Sequence, residues 1–441
     1  MVECNPCQWL KNKRVSQILI LVVIAVGLFV DCLLFTVVGP YNAQDINKTQ
    51  TSGNEKKCYQ DKESLANENL EVGLLTSIKA FVQFVVSPIV GKITSRLGYD
   101  LPLFFGFLIV FSSSLMFAFA RSFALLAVAR AFQGIGSSLT AVPGLSLVSH
   151  TFPDNKERGT VMAICSAGMA TGALIGPPFG SFMYAFGGMP PPFLTIAFLT
   201  LLDGVLRFIV LRPFKISPVT LPPTPFQILL KDPYILLLVG ALCICRFNVG
   251  VMGITVPIRM MDTMCAPSYQ IGLGMIPTAV TYLVFIHPFV ALSNKVGRWV
   301  CNAVGFIIQG ISLICFPLAG NIYELIGPSA FFGIGFALTG SSLYPMLPYL
   351  VDLRHTKVYG GLYAISDMAY CFGYFAGPLL GGTLAKTIGF NWLMVLLGLV
   401  EVAYAPLFIL LRNVPGKDEE KPILNQEDQS LQNNYQDCDQ K

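Results

Sequence analysis

The sequence predicts an all-α membrane protein of twelve transmembrane helices, arranged as two pseudo-symmetric halves of six. Three observations carry this. The 441 residues are 54% hydrophobic and only 12% charged, an apolar share that no soluble fold of this length requires. Apolar runs long enough to cross a bilayer recur along the whole chain. Small-residue signals also repeat at nearly one offset: Gly176-Pro177 and Gly377-Pro378 lie 201 residues apart, Gly98 and Gly297 199, and Ser138 and Ser342 204. Three matches in register point to duplication of a six-helix unit, an architecture in which two halves enclose a midplane site. A soluble enzyme is excluded by composition, and no nucleotide-binding or nucleophile motif is present. The twelve cysteines show no zinc or redox spacing, Cys4 and Cys7 being an isolated pair in a short tail, so neither a metal nor an organic cofactor is expected. The lipid bilayer is the expected environment, with no nucleic-acid partner.

The N-terminal half is expected over 17–212, with spans near 17–40, 70–91, 102–120, 123–149, 159–186 and 192–212. The C-terminal half follows over 233–412, with spans near 233–259, 269–293, 299–319, 326–351, 358–385 and 390–412. Residues 1–16 form a tail, 213–232 a Pro-rich linker with basic ends, and 413–441 a polar tail expected to be disordered. The first run is too long for a signal-peptide core and lacks a small-residue cleavage site, so it is expected to stay in the mature chain. Lys and Arg gather in the tails, the linker and alternate loops (among them Lys92, Arg96, Lys156, Arg158, Lys295, Arg298, Arg354 and Lys357), whereas the other side has few beyond Arg121, Lys386 and the lysines of loop 41–69. That bias places both termini in the cytoplasm and loop 41–69 in the lumen. The loop holds the glycosylation sequon Asn47-Lys48-Thr49. It also holds Cys58, and Cys265 follows span 7 on the same side; a disulfide clamping the two halves is the favoured reading, two free thiols the other.

Ionisable residues within spans are the candidate functional groups. Asp31 sits in the first span among Val, Leu and Phe, and it must face protein or a watery cavity rather than lipid. An intramembrane substrate or proton site is the default reading; a surface acid, or one that pairs a cation for folding alone, is the alternative. Asp203 is placed to pair with Arg207 one turn later. His287 and Glu401 also fall within spans. Tyr282, Tyr363, Tyr370 and Tyr374 fall in spans 8 and 11, where aromatic faces and hydroxyls suit an aromatic ammonium ligand, although tyrosines at helical spacing also serve simply to pack.

Several stretches resemble the vesicular monoamine transporters of the major facilitator superfamily. They are Asp31-Cys32-Leu33-Leu34-Phe35-Thr36-Val37-Val38-Gly39-Pro40, Val72-Gly73-Leu74-Leu75 to Ser77-Ile78-Lys79-Ala80, Ala129-Arg130-Ala131-Phe132-Gln133-Gly134-Ile135-Gly136-Ser137-Ser138, Gly176-Pro177-Pro178-Phe179-Gly180, Lys231-Asp232-Pro233-Tyr234, Leu350-Val351-Asp352-Leu353-Arg354-His355 and Tyr363-Ala364-Ile365-Ser366-Asp367. The similarity runs from about Gln17 to Arg412. It implies an antiporter that drives a cytosolic amine into acidic secretory or synaptic vesicles in exchange for lumenal protons. Asp31 then matches the amine-binding acid, with substrate and proton competing for one carboxylate. Lys79 and Asp367 match an ion pair joining helices 2 and 11, and Arg130 a motif associated with proton transfer. Gly172-x-x-x-Gly176-Pro177-x-x-Gly180 resembles the antiporter motif of helix 5. Gly91 to Arg96-Leu97-Gly98 resembles the cytoplasmic gate motif, with Ser95 where many members carry Asp, and Lys295-Val296-Gly297-Arg298 is its counterpart. In the tail, Glu419-Glu420-Lys421-Pro422-Ile423-Leu424 resembles an acidic dileucine signal for sorting adaptors.

The match departs at four places. Gly253 and Gly340 stand where the family has acids, Cys32 where it has asparagine, and Arg246 where it has an uncharged polar residue. Together they shift the cavity by about +3 in formal charge, several kcal/mol to a cationic substrate even at an effective dielectric near 20. Arg246 is expected to neutralise Asp31 or Asp367, or else to bind the carboxylate of a zwitterionic or anionic substrate. Three functions therefore follow: proton-coupled amine transport, transport of a zwitterion or anion, or ligand binding without a transport cycle.

Overall fold

The computed structural model describes residues 13–37, 62–211, 226–264 and 268–415. Asn47, Cys58, Cys265, the dileucine-like segment, most of the tails and much of the linker lie outside the described residues. Twelve long helices make the bundle: α1 Lys13–Val37, α2 Lys62–Leu97, α3 Asp100–Phe119, α4 Phe123–Thr151, α5 Asn155–Gly187 and α6 Pro190–Leu211. A one-turn helix, Phe226–Leu229, precedes α7 Pro233–Met264, α8 Ser268–Val296, α9 Arg298–Cys315, α10 Ile322–Arg354, α11 Gly360–Ile388 and α12 Phe390–Tyr404.

Two differences from the expected spans have local causes. Residues 62–69, expected as loop, form the first two turns of α2, because Lys62-Glu-Ser-Leu-Ala-Asn-Glu-Asn is polar yet rich in helix formers. The helix therefore starts outside the apolar layer. Among the described residues, eleven of these twelve helices are long and apolar enough to cross a membrane. The twelfth, α11, has the length (29 residues) but carries glycines, tyrosines and Asp367. It packs against α2 and α7, and a helix face covered by protein does not need to be apolar.

Starts and stops follow short-range chemistry. The Ser122 hydroxyl accepts from the Leu125 amide at the start of α4, and the Asp154 carboxylate from the Glu157 amide at the start of α5. Gly98 (φ 86°) and Gly297 (φ 110°) make the turns after α2 and before α9, where the backbone lies in a region that only glycine enters without strain. These are the repeat pair and gate-motif glycines singled out in the sequence, and both halves use them alike.

The duplication is visible in the packing. In the N-terminal half α1 packs on α5, α3 on α4 and α3 on α6; the C-terminal half repeats this as α7 on α11, α9 on α10 and α9 on α12. Gly172, Gly176 and Gly180 on α5 lie against Phe29–Val37 of α1, and Gly373, Gly377 and Gly381, each 201 residues later, lie against Arg246–Val251 of α7. Small residues in these stripes let backbones touch, which is how helices associate where lipid offers no hydrophobic drive. The outer helices α3, α6, α9 and α12 expose Phe105, Phe198, Phe208, Ile311 and Trp392, as surfaces bathed in hydrocarbon do. The halves meet along α2–α11 and α5–α8.

The stripe sets a steric test. A methyl at Gly377 would lie 2.7 Å from the Phe247 carbonyl oxygen and 3.0 Å from the Gly250 Cα, both backbone, whereas one at Gly382 meets nothing within 4 Å. Gly377→Ala is expected to lower stability by about 1–3 kcal/mol and Gly382→Ala by less than about 0.5 kcal/mol, read as thermal unfolding of the detergent-purified protein.

Candidate functional site

The polar groups of the bundle centre sit on helical stripes. Lys79, Gln83 and Ser87 follow each other at one-turn intervals on α2, Arg130, Gln133 and Ser137 on α4, and Tyr363, Asp367, Tyr370 and Tyr374 on α11. Asp31 on α1 is where the first two converge. The Ser137 hydroxyl donates to Asp31 Oδ1 at 2.5 Å, Gln133 Nε2 reaches the same oxygen at 3.5 Å, and the Lys79 ammonium sits 3.5 Å from Oδ2. The Asp31 side chain stays 16% exposed, against 7% for Lys79, so the acid keeps an open side.

The expected Lys79–Asp367 ion pair is not formed: Lys79 pairs within its own half, with Asp31. Asp367 instead accepts from Ser87 at 2.5 Å and from Gln83 at 2.9 and 3.2 Å. The cause is register. Gln83 and Ser87, one and two turns further along α2, stand level with Asp367, while the lysine chain runs towards α1. At Asp367 the link between α2 and α11 is thus a neutral donor set on one carboxylate, not an ion pair.

Arg130 is buried, donating to the Gln133 side chain at 2.7 Å and the Phe35 carbonyl at 2.9 Å, with its guanidinium 5.3 Å from the Phe35 and Phe117 rings. Arg246 on α7 reaches neither Asp31 nor Asp367. Its Nη2 donates to the Tyr344 hydroxyl at 3.2 Å, its guanidinium lies 4.9 Å from the Phe336 ring and 4.7 Å from Tyr370, and its buried Nε has no partner. Asp203 and Arg207 form the expected pair on α6, at 2.7 Å and buried. Glu401 accepts from Asn248 inside the C-terminal half, and His287 is exposed on α8, away from the centre.

Two cavities adjoin at mid-depth. The smaller, about 60 Å³, is lined by Asp31, Lys79, Gln83, Tyr363 and Asp367. The larger, about 320 Å³, is lined by Arg246, Gly253, Tyr282, Phe332 and Phe336, with no acid among the described residues of its wall. Cys32, Met169, Tyr370 and Tyr374 line both. The expected site residues Asp31, Cys32, Lys79, Arg246 and the four tyrosines are therefore brought together. Beside Gly340 the Tyr282 hydroxyl stands 3.1 Å from where a side chain would begin, and at Gly253 the space is open.

One end of the bundle is shut. Gly91 on α2 meets the Gly360 backbone and the Ala364 methyl on α11. The Ser149 and Tyr363 hydroxyls share a hydrogen bond of 2.7 Å, buried Arg158 holds Asp352 at 2.8 Å, and Arg298 donates to the Asn155 side chain and carbonyl at 2.7 Å. Each joins one half to the other. Of the gate motif, Gly91 and Arg298 make these contacts, whereas Arg96 and Lys295 are exposed at the same end.

Comparison with known proteins is decisive for kinship. The Major Facilitator Superfamily family model matches residues 19–256 and 238–433. The chain is 49% identical to the chromaffin granule amine transporter of Rattus norvegicus over 373 residues (85% of this chain, 72% of the relative) and 40% identical to the synaptic vesicular amine transporter of Homo sapiens over 481 aligned positions (96% and 93%). The chain belongs to the vesicular amine transporter family of the major facilitator superfamily. Its relatives are transporters, not enzymes. The vesicular acetylcholine transporter of Torpedo marmorata is more distant, at 33% identity over 92% of this chain and 83% of the relative. Among solved structures, the human organic anion transporter MFSD10 superposes with a TM-score of 0.73 at 16% identity, covering 89% of this chain and 99% of that one, which shows a shared fold.

Within this family member, sequence reasoning singled out ions and tyrosines, gave no role to Gln133 and Ser137 of the helix 4 motif, and passed over Gln83, Ser87, Ser149 and Tyr344. The four-residue spacing from Lys79 through Gln83 to Ser87 was the available signal: a polar stripe in an apolar span has to face protein.

Beyond the last turn of α10, at the linker end, Asp232 accepts from Arg354 at 2.7 Å, His355 at 2.9 Å and the Tyr234 amide at 3.0 Å. Burial pushes this carboxyl up, but the hydrogen bonds from His355, Arg354 and Tyr234 and the Arg354 charge outweigh it and hold it at about 2. A depressed carboxyl contributes its full stabilisation above the unfolded value of about 3.9 and loses it as pH falls through the folded value. Asp232→Asn is expected to cost on the order of 2 kcal/mol at pH 7, and the gap to the native protein should close between about pH 4 and 2, measured by thermal unfolding in detergent.

Proposed function

We propose that the protein is a proton-coupled vesicular amine transporter: it moves a small organic amine from the cytosol into acidic secretory or synaptic vesicles and returns protons by alternating access. The observation that carries this is Lys79 on Asp31. A primary ammonium already occupies the carboxylate, 3.5 Å from Oδ2, over the Phe35 ring at 5.2 Å. A substrate ammonium asks for the same two features, an anion and an aromatic face. The gross attraction at that distance is about 5 kcal/mol at an effective dielectric near 20, enough for an arriving amine to exchange with Lys79.

Substrate ammonium, Lys79 and proton all compete for the one carboxylate of Asp31, which couples their binding through a single group. Asp367 is the neighbouring acid toward which the displaced Lys79 is free to turn, so the family ion pair between helices 2 and 11 belongs to the loaded state. The shut end of the bundle is the cytoplasmic one in the orientation given by the cationic loops, with both termini in the cytosol, and the Glu419–Leu424 segment is the address that sorting adaptors read. Arg130 keeps α1 and α4 in register around Asp31.

Asp31→Asn keeps the shape and removes the charge. It is expected to reduce initial uptake of an aromatic amine into inside-acid proteoliposomes at least tenfold, with the Ser137 contact retained. Undiminished uptake by this variant overturns the reading.

A further inference from the structure

We propose that the preferred cargo is a zwitterion, an aromatic amine that also carries a carboxylate, with its ammonium on Asp31 and its carboxylate on Arg246. This rests on the amine reading above and narrows it. The charges around the two cavities are the starting point. Asp31 is taken by Lys79 and Ser137, and Asp367 by Ser87 and Gln83. Of the partners open to Arg246, both internal acids are thus excluded, and among the described residues no carboxylate lies within 4 Å of it.

What faces Arg246 is neutral on every side: Tyr344 and Phe336 from α10, Tyr282 from α8, and Tyr370 and Tyr374 from α11. Of five N–H donors on the guanidinium, one meets the Tyr344 hydroxyl, and Nε is buried with no partner. A buried cation without an anion is costly, and the cost is relieved only when the missing charge arrives with something else. The side chain lines a cavity of about 320 Å³, within the size range of small-molecule sites.

Among the described residues that line it the larger cavity has no acid, so a plain ammonium finds aromatic faces there but no anion to offset Arg246. Gly253 leaves open space on the same wall. A carboxylate finds the guanidinium, which matches it in a planar two-donor geometry. Cys32, next in the chain to Asp31, lines both cavities together with Tyr370 and Tyr374. One molecule therefore spans them, with its ring on the tyrosines, its cation towards α1 and its anion towards α7. Because one pole binds the N-terminal half and the other the C-terminal half, such a cargo ties the two halves together when it binds.

The test uses the purified full chain in inside-acid proteoliposomes with matched pairs that differ only by a carboxylate: phenethylamine and phenylalanine, tyramine and tyrosine, tryptamine and tryptophan. Initial uptake is measured, and binding is read separately by thermal shift in detergent. In at least one pair the amino acid is expected to exceed its amine at least tenfold in both assays. Arg246→Gln should cancel that preference and raise uptake of the bare amine, and Arg246→Lys should retain part of it. Preference for the amine in every pair, an unchanged ratio in a folded Arg246→Gln protein, or no binding across the panel overturns the proposal. So does equal binding of 3-phenylpropionate, which has the anion alone. If Asp31→Asn abolishes amine uptake while the carboxylate makes no difference, the amine reading stands and the zwitterion falls. Should Arg246→Gln fail to fold, the native preference and Arg246→Lys decide.

Discussion

A carboxylate at mid-membrane depth survives only if the protein supplies the donors that water would have given, and Asp31 draws its donors from two other helices. Ser137 comes from α4 and Lys79 from α2, while Gln133 reaches both the carboxylate and the backbone oxygen of the same residue. The three helices that carry these groups are therefore held to one register by a single side chain. Arg130 extends the set by fastening α4 to the Phe35 carbonyl one turn away on α1. Because this polar knot stands in hydrocarbon surroundings, each member is worth more than in water and costs more if left alone. A cargo or a proton that changes the charge on Asp31 therefore changes the constraint on α1, α2 and α4 together.

The contacts between halves have the opposite character. At the shut end they are a few discrete, directional links, Arg158–Asp352, Arg298–Asn155 and Ser149–Tyr363, set around the bare backbone approach of Gly91 to Gly360. Within a half, by contrast, glycine stripes bring backbones into continuous contact. The polar links between the halves at the shut end are therefore few, and water at the membrane surface can replace them. The division of labour follows from where the glycines fall: Gly172, Gly176 and Gly180 bind α5 to α1 in the same half, and their counterparts bind α11 to α7.

The fold was largely legible in the sequence, because the bilayer converts apolar length into helix count and duplication leaves its offset in the glycines. What was not legible came from three-dimensional register. Nothing in the spacing of Lys79 and Asp367 says that Lys79 turns to α1 while Gln83 and Ser87 take up the acid, since that depends on how far α2 is shifted along α11. The helical start at Lys62 was hidden for a different reason. Hydropathy locates the membrane, not the ends of helices, and a polar stretch of good helix formers continues past the boundary unmarked. Candidate residues were found where charge made them conspicuous, and missed where neutral hydroxyls and amides do the holding.

The helix that falls short of the apolar measure shows how these strands connect. α11 touches α2, α4 and α7, and it carries Asp367, Tyr363, Tyr370 and Tyr374 on consecutive turns of its buried side. These polar residues are unstable beside lipid, so the face that carries them turns inward, while Phe372, Leu379 and Leu380 on the other face stay exposed. The acid and tyrosines then line the central space, and the Gly360 end of α11 forms the seal with α2. Burial of this polar face thus fixes one wall of the cavity and one side of the seal. Arg246 follows from the same packing. It lies on α7 against Gly373 of α11, where the absent side chain lets the α7 backbone come close and leaves the guanidinium to extend over Tyr370 into the cavity.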